Sequence, residues 1–216
     1  MESSQNGLKK FTDLSLEAYL NELSSDSPVP GGGSVSAYAA ALAMGLMQMV
    51  ARISLKRKIK PALSPEELKK ENERRSSLQK ITESLEKTRR DAFQIVNLDP
   101  KVYYEVMEAM KQCGAPEKME DALQNSFRLQ ADLAFLIVMA REWNYNLADL
   151  VSGSIKNDLL VSAGLLEAAF HGAYHTATIN MKYMKQEEKK VHALRALEEL
   201  KTRFQTEVKD RRAWDS

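Results

Sequence analysis

One acid stands in an awkward place. Asp99 follows a long helix-like stretch and immediately precedes a proline, in the run Asn97-Leu98-Asp99-Pro100. A residue before proline avoids the helical region, so the chain is expected to break there. An acid at such a break commonly caps the next helix. Buried instead, it is a candidate general acid or base. On these residues alone both readings stand.

A second stretch has unusual physics. Residues 27–38 read SPVPGGGSVSAY. Pro28 and Pro30 favour an extended approach, and Gly31, Gly32 and Gly33 let a ligand or another backbone come close. Ser34 is the expected N-cap of the apolar segment that follows. The free N–H groups of a helix start attract acceptors and anions. A tight loop packed on a neighbouring helix accounts for the glycines equally well.

Other constellations are weaker. His171 and His175 lie four residues apart, a spacing able to hold a metal. No acid accompanies them, packed histidines are the simpler reading, and no metal is expected. Lys56, Arg57, Lys58 and Lys60 form a basic cluster that suits an anionic group or a solvated helix end. Asp158 reads as the N-cap of a late helix. There is no Walker loop, HExxH or CxxC pair.

These residues need positioning, and the chain offers helices to do it. It has 216 residues, 44% hydrophobic and 28% charged, with 31 basic and 30 acidic residues. That balance argues against a general nucleic-acid binder. A single cysteine, Cys113, permits no internal disulfide and fits a reducing, cytoplasmic setting. The first residues, MESSQNGLKKF, lack the apolar core of a signal peptide. Runs of Ala, Leu, Met, Glu, Lys and Arg predict helices, and no alternating Val-rich run argues for strands.

About seven helices are expected, over 15–24, 34–55, 64–96, 101–112, 116–143, 158–185 and 187–211, in one domain covering 1–216. Ser64 and Pro65 open the third with a cap and a proline at its first turn. The second is apolar nearly all round. It is long enough to span a membrane, but Ser34, Ser36, Gln48, Arg52 and many alanines favour a central buried helix. No membrane association is expected. The whole is an all-α antiparallel multi-helix bundle, and its most apolar helices call for a second helical layer or a homodimer.

Three stretches resemble one known family. SPVPGGGSVSAYAAALAMGLMQMVARIS is similar to the P-x-P-G-G-G-S opening of the cyclodeaminase/cyclohydrolase family of folate enzymes. IVNLDPKVYYEVMEAM resembles that family's L-V-D-x-D segment, and NDLLVSAGLLEAAFHGAYHTATINM its S-D-L helix, with Ile179-Asn180 retained. The likeness runs nearly the length of the chain, in order. It departs from the pattern at Asn97, which stands where the first acid of the pair belongs, at Asn157 for the serine, at Thr176 or a neighbour for an asparagine, and at Lys56-Arg57-Lys58-Ile59-Lys60, which only approximates the family's Gly-Lys-Lys-Lys-Tyr.

The resemblance implies an all-helical homodimer with a folate pocket near the glycine loop, and neither metal nor cofactor beyond the tetrahydrofolate derivative that serves as substrate. It implies Asp99 as the catalytic acid/base. Pro30, Gly31, Gly32, Gly33, Ser34, Lys56, Lys58 and Asp158 are then the candidate substrate-binding residues, the lysines through the anionic glutamate tail. The expected reaction is hydrolysis of 5,10-methenyltetrahydrofolate to 10-formyltetrahydrofolate. Ring closure of formimidoyltetrahydrofolate with ammonia release is the alternative. The lean to hydrolysis rests on this chain showing no transferase domain to feed the other reaction. A non-catalytic folate-binding or protein-binding helical dimer is the reading from another class, favoured by Asn97.

Overall fold

A computed structural model describes residues 10–59, 61, 63–112 and 116–209. Lys60, Cys113, most of the polar N-terminal stretch and the last two residues expected of the final helix lie outside the described residues. The described residues contain a 3-10 turn at Phe11–Asp13, six α-helices and no strand. The helices are α1 (Leu16–Leu23), α2 (Gly32–Lys56), α3 (Pro65–Lys111), α4 (Pro116–Leu150), α5 (Lys156–Tyr183) and α6 (Glu187–Lys209).

Several elements start where their side chains say they should. The Ser15 hydroxyl accepts from the Ala18 N–H and caps α1. Ser64 and Glu67 form a reciprocal capping box at the head of α3, with Pro65 in the first turn.

Three boundaries differ from expectation. First, α3 runs unbroken through Pro100 for 47 residues, about 70 Å at 1.5 Å per residue. The expected break at 97–100 does not occur, so two predicted helices are one and seven become six. Second, α4 continues to Leu150, because Asn144, Leu147 and Ala148 carry its buried face onward. The Asn144 amide donates to the Leu159 carbonyl at 3.2 Å. Third, α5 starts at Lys156 with Ile155 at the N-cap, so Asp158 sits inside the first turn and is not the cap. It still lies where a negative charge suits the helix dipole.

Successive long helices run antiparallel. Ser34 meets Val96 and Gln48 meets Glu86 across α2 and α3. Asp99 meets Gln130 across α3 and α4, and Asn180 meets Ser126 across α4 and α5. α2 lies at the centre, with Ala37, Ala40, Ala43, Met44, Met47, Val50 and Ala51 fully buried. Its alanines let neighbours approach closely, and Gly172 of α5 does the same, since a Cβ there would stand 2.1 Å from the Ser36 hydroxyl. By length and composition α2 passes as a membrane span, but 61% of that apolar window is buried inside the protein, as befits a core helix. Its remaining face, with Val35, Leu42, Met49 and Ile53, is exposed.

Candidate active site

The site is built from the consequences of one proline. Pro100 has no N–H, so the carbonyl four residues earlier, that of Val96, loses its helical donor. The Ser34 hydroxyl supplies the replacement at 2.7 Å. This bond docks the first turn of α2 against α3 and lets α3 continue. Ser34 is therefore the third residue of α2 and not its cap. The N-cap position is Gly31, which has no capping side chain.

Asp99 takes up the cap's work across the bundle. Its Oδ2 accepts the Ser34 backbone N–H at 3.0 Å, one of the donors left free at the start of α2. The acid does cap a helix, though not the one following it in sequence. Its Oδ1 accepts from Gln130 Nε2 of α4 at 2.7 Å. Gly33 makes this meeting possible. A Cβ there would lie 2.1 Å from Asp99 Oδ1 and 2.2 Å from Gln130 Nε2, so any side chain would push both away.

Asp99 is 9% exposed, and Ser34 and Gln130 not at all. Burial pushes the Asp99 carboxyl above the usual carboxylate range, while the Ser34 and Gln130 hydrogen bonds pull the other way. Behind it, Tyr19 stacks on Tyr38 with centroids 4.9 Å apart. Burial, with help from Tyr38 and Asp99, lifts the Tyr19 phenol to about 12. The carboxyl is thus backed by neutral groups.

In front of Asp99 opens a cavity of about 360 Å³. Gly31, Gly32 and Gly33 form one side, where a Cβ on Gly32 would meet nothing within 4 Å. Tyr103, Val106, Met107 and Met110 of α3 form an aromatic and thioether wall. Ser126 of α4 and Thr176, Ile179, Asn180 and Tyr183 of α5 close it. Asn180 Nδ2 donates to Ser126 Oγ at 2.9 Å and to the Thr176 carbonyl at 3.1 Å. Asp99 is the charged group among the described lining residues. A largely apolar slot with one acid favours a flat, cationic ligand.

The structure brings Gly31, Gly32, Gly33 and Asp99 together at this cavity. Pro30 and Ser34 are buried beneath it and support it without lining it. Lys56 and Lys58 are elsewhere. Lys56 ends α2, 24 residues beyond Gly32 and about 36 Å away along the helix. Arg57 is spent on helix ends, donating to the Ser152 carbonyl at 2.9 Å. Lys58 borders a separate groove with Arg74, Glu71 and Asp149. Asp158 sits 18 residues before Thr176 on α5, about 27 Å away along that helix.

Asn97 has a duty outside the cavity. Its amide donates to the Thr12 hydroxyl at 2.6 Å and accepts the Thr12 N–H at 3.2 Å, pinning the 3-10 turn onto α3. His171 and His175 are exposed and stack with ring centroids 6.3 Å apart. Among the described residues no cluster of three or more metal-ligating side chains exists.

Sequence reasoning missed the wall residues Tyr103, Val106, Met107, Met110 and Ser126, and with them Gln130. The signal of Gln130 was present: a glutamine on the stripe Phe127, Gln130, Ala134, Ile137, where helical spacing calls for apolar residues.

The fold and site define a class: an all-helical bundle with one buried acid facing an apolar cavity beside a glycine-built helix start. The family model described as formiminotransferase-cyclodeaminase matches residues 15–199, and the chain belongs to that family of folate one-carbon enzymes. Formimidoyltransferase-cyclodeaminase of Mus musculus is 28% identical over 206 residues, covering 90% of this chain and 36% of its own length. That of Gallus gallus is 29% identical over 198 residues, covering 86% and 35%. The chain thus spans about a third of the length of these curated relatives. A formiminotetrahydrofolate cyclodeaminase from Thermotoga maritima shares the fold, with a TM-score of 0.81 and 23% identity over 91% of this chain and 93% of that one.

Proposed function

We propose that this protein closes the ring of 5-formimidoyltetrahydrofolate to 5,10-methenyltetrahydrofolate with release of ammonia. The observation that carries this reading is Asp99: a buried, hydrogen-bonded acid, charged among otherwise neutral lining residues. The protonated formimidoyl group is an amidinium cation, and the product is a methenyl cation. One carboxylate complements both, and more strongly where water is excluded.

The steps balance around one proton. N10 attacks the formimidoyl carbon, forming the N10–C bond, and its proton passes to Asp99. Asp99 then returns that proton to the former imino nitrogen. The C–N bond to that nitrogen breaks, ammonia leaves, and the positive charge remains on the N5–C–N10 bridge. The aromatic and thioether wall of Tyr103, Met107 and Met110 offers a face for the flat ring system.

Hydrolysis of the methenyl bridge, the reaction first expected, uses the same carboxylate to take a proton from water. The relatives' names, each carrying the cyclodeaminase, move the weight to ring closure. Asn97 no longer favours a non-catalytic protein, because its amide is engaged with Thr12 away from the cavity. A homodimer belongs to this reading. Val35, Leu42, Met49 and Ile53 leave an apolar stripe on α2 beside a groove of about 650 Å³, and a contiguous exposed apolar face of this kind marks an interaction surface.

The test offers formimidoyl- and methenyl-tetrahydrofolate side by side, reading the methenyl chromophore and free ammonia. Ring closure predicts chromophore and ammonia appearing together from the first substrate. Chromophore loss from the second alone would assign the hydrolase. Binding with neither change would make the protein a folate carrier.

A further inference from the structure

We propose that Gln130 is a positioning residue whose side-chain amide follows the proton on Asp99. The inference rests on Asp99 being the acid/base of the reaction.

A general acid/base must exist in two protonation states, and a buried one needs neighbours that satisfy both. In the arrangement described, Nε2 of Gln130 donates to Oδ1 and the Ser34 N–H to Oδ2, which suits the ionised carboxylate. The other end of the amide is left over. Gln130 Oε1 is buried and has no hydrogen-bond partner. Fully buried polar atoms without partners are rare and ask for an explanation.

Turning the amide end for end supplies one. A carboxamide has nearly the same shape in both orientations, with a donor and an acceptor at equal reach. Turned, Oε1 faces Oδ1 and accepts a hydrogen bond once that oxygen carries a proton. One orientation therefore holds the base, and the other stores the proton at Oδ1 until the leaving nitrogen takes it. Ser34 N–H serves Oδ2 in both.

Little else near Asp99 could play this part. α2 offers it the Ser34 N–H and no charge. α1 presents Tyr19, whose phenol stays protonated, and the cavity walls present Tyr103 from α3 and Tyr183 from α5. No Lys, Arg or His is among the described lining residues. Gly33, by lacking a Cβ, admits the amide to this place.

The test compares Gln130→Met, of similar volume with neither donor nor acceptor, and Gln130→Glu, alongside Asp99→Asn. The readouts are kcat, KM and the pH profile of kcat/KM with formimidoyltetrahydrofolate. Gln130→Met should lower kcat on the order of tenfold to a hundredfold, less than loss of the base itself. KM should change little. The acid limb should move up by about one pH unit, because a donor to the charged form is gone. Gln130→Glu, equal in shape, should move that limb further up, as two carboxyls share one proton. It carries the test if the methionine variant does not fold. A purely structural Gln130 would change thermal stability and leave the limb in place. Folded variants with wild-type kcat and an unmoved limb, beside an inactive Asp99→Asn, would overturn the proposal alone. An active Asp99→Asn would overturn the base assignment beneath it.

Discussion

Asp99→Asn should separate catalysis from stability. Turnover should fall by about 10²–10⁴, the usual contribution of a positioned acid/base. The fold should not suffer, and the reason lies in the site's geometry. The new amide's oxygen can still accept the Ser34 N–H now held at 3.0 Å. Its NH₂ can donate to Gln130 Oε1, the atom now without a partner, if that side chain turns over. The variant then keeps two hydrogen bonds at this point, as many as the wild type; without the turn it would lose one, worth about 1 kcal/mol, or about 2–4 °C in melting temperature for a chain of this size.

A pH dependence follows with a definite sign. Burial raises the folded-state pKa of Asp99 above its unfolded value. The native state therefore binds the proton more tightly, and wild-type stability falls as pH rises through that window. Asp99→Asn lacks this loss. The melting-temperature gap between variant and wild type should thus widen in the variant's favour as pH rises above the usual carboxylate range. Calorimetry across that rise measures it. A variant less stable than wild type by the same margin at every pH would refute the claim that burial works against this charge.

Gly33→Ala should remove about 1–3 kcal/mol of stability and most turnover, because its Cβ would land 2.1 Å from Asp99 Oδ1 and 2.2 Å from Gln130 Nε2; denaturant titration and the chromophore and ammonia readouts report both. Gly32→Ala, whose Cβ meets nothing within 4 Å, should fold normally and act through KM, since it extends into the cavity. Light scattering should give the wild type the mass of the proposed dimer, and arginines introduced together at Leu42 and Met49, exposed on α2, should reduce it to that of a monomer; a monomeric wild type would refute the dimer, and an unchanged variant mass would refute this face as its contact.

Much of this architecture was legible because the forces behind it are local. Apolar residues recurring at three and four, Ser15 and Ser64 as caps, and Pro65 in a first turn each act within a few residues. They set the all-α class and most helix positions. The buried character of α2 could be read from its alanines. The glycine run and the acid before Pro100 marked the site by their oddity, and the resemblance tied the two together.

The sequence by itself determined the all-α class, most helix positions, the two halves of the site and the family. Tertiary structure decided what happens at Pro100, and from that the site itself. Proline's local effect is to end a helix, and the expected break expresses only that effect. Here the Ser34 hydroxyl, 62 residues away in sequence, satisfies the Val96 carbonyl, so α3 continues and carries Asp99 into the start of α2. The place of Gln130 against Oδ1, the use of Asn97 to hold Thr12, and the separation of Lys56, Lys58 and Asp158 from the cavity are likewise matters of which helices touch. A pairing between distant residues leaves no periodic trace in either segment. It exists only once packing has brought a donor and an acceptor to the same buried point.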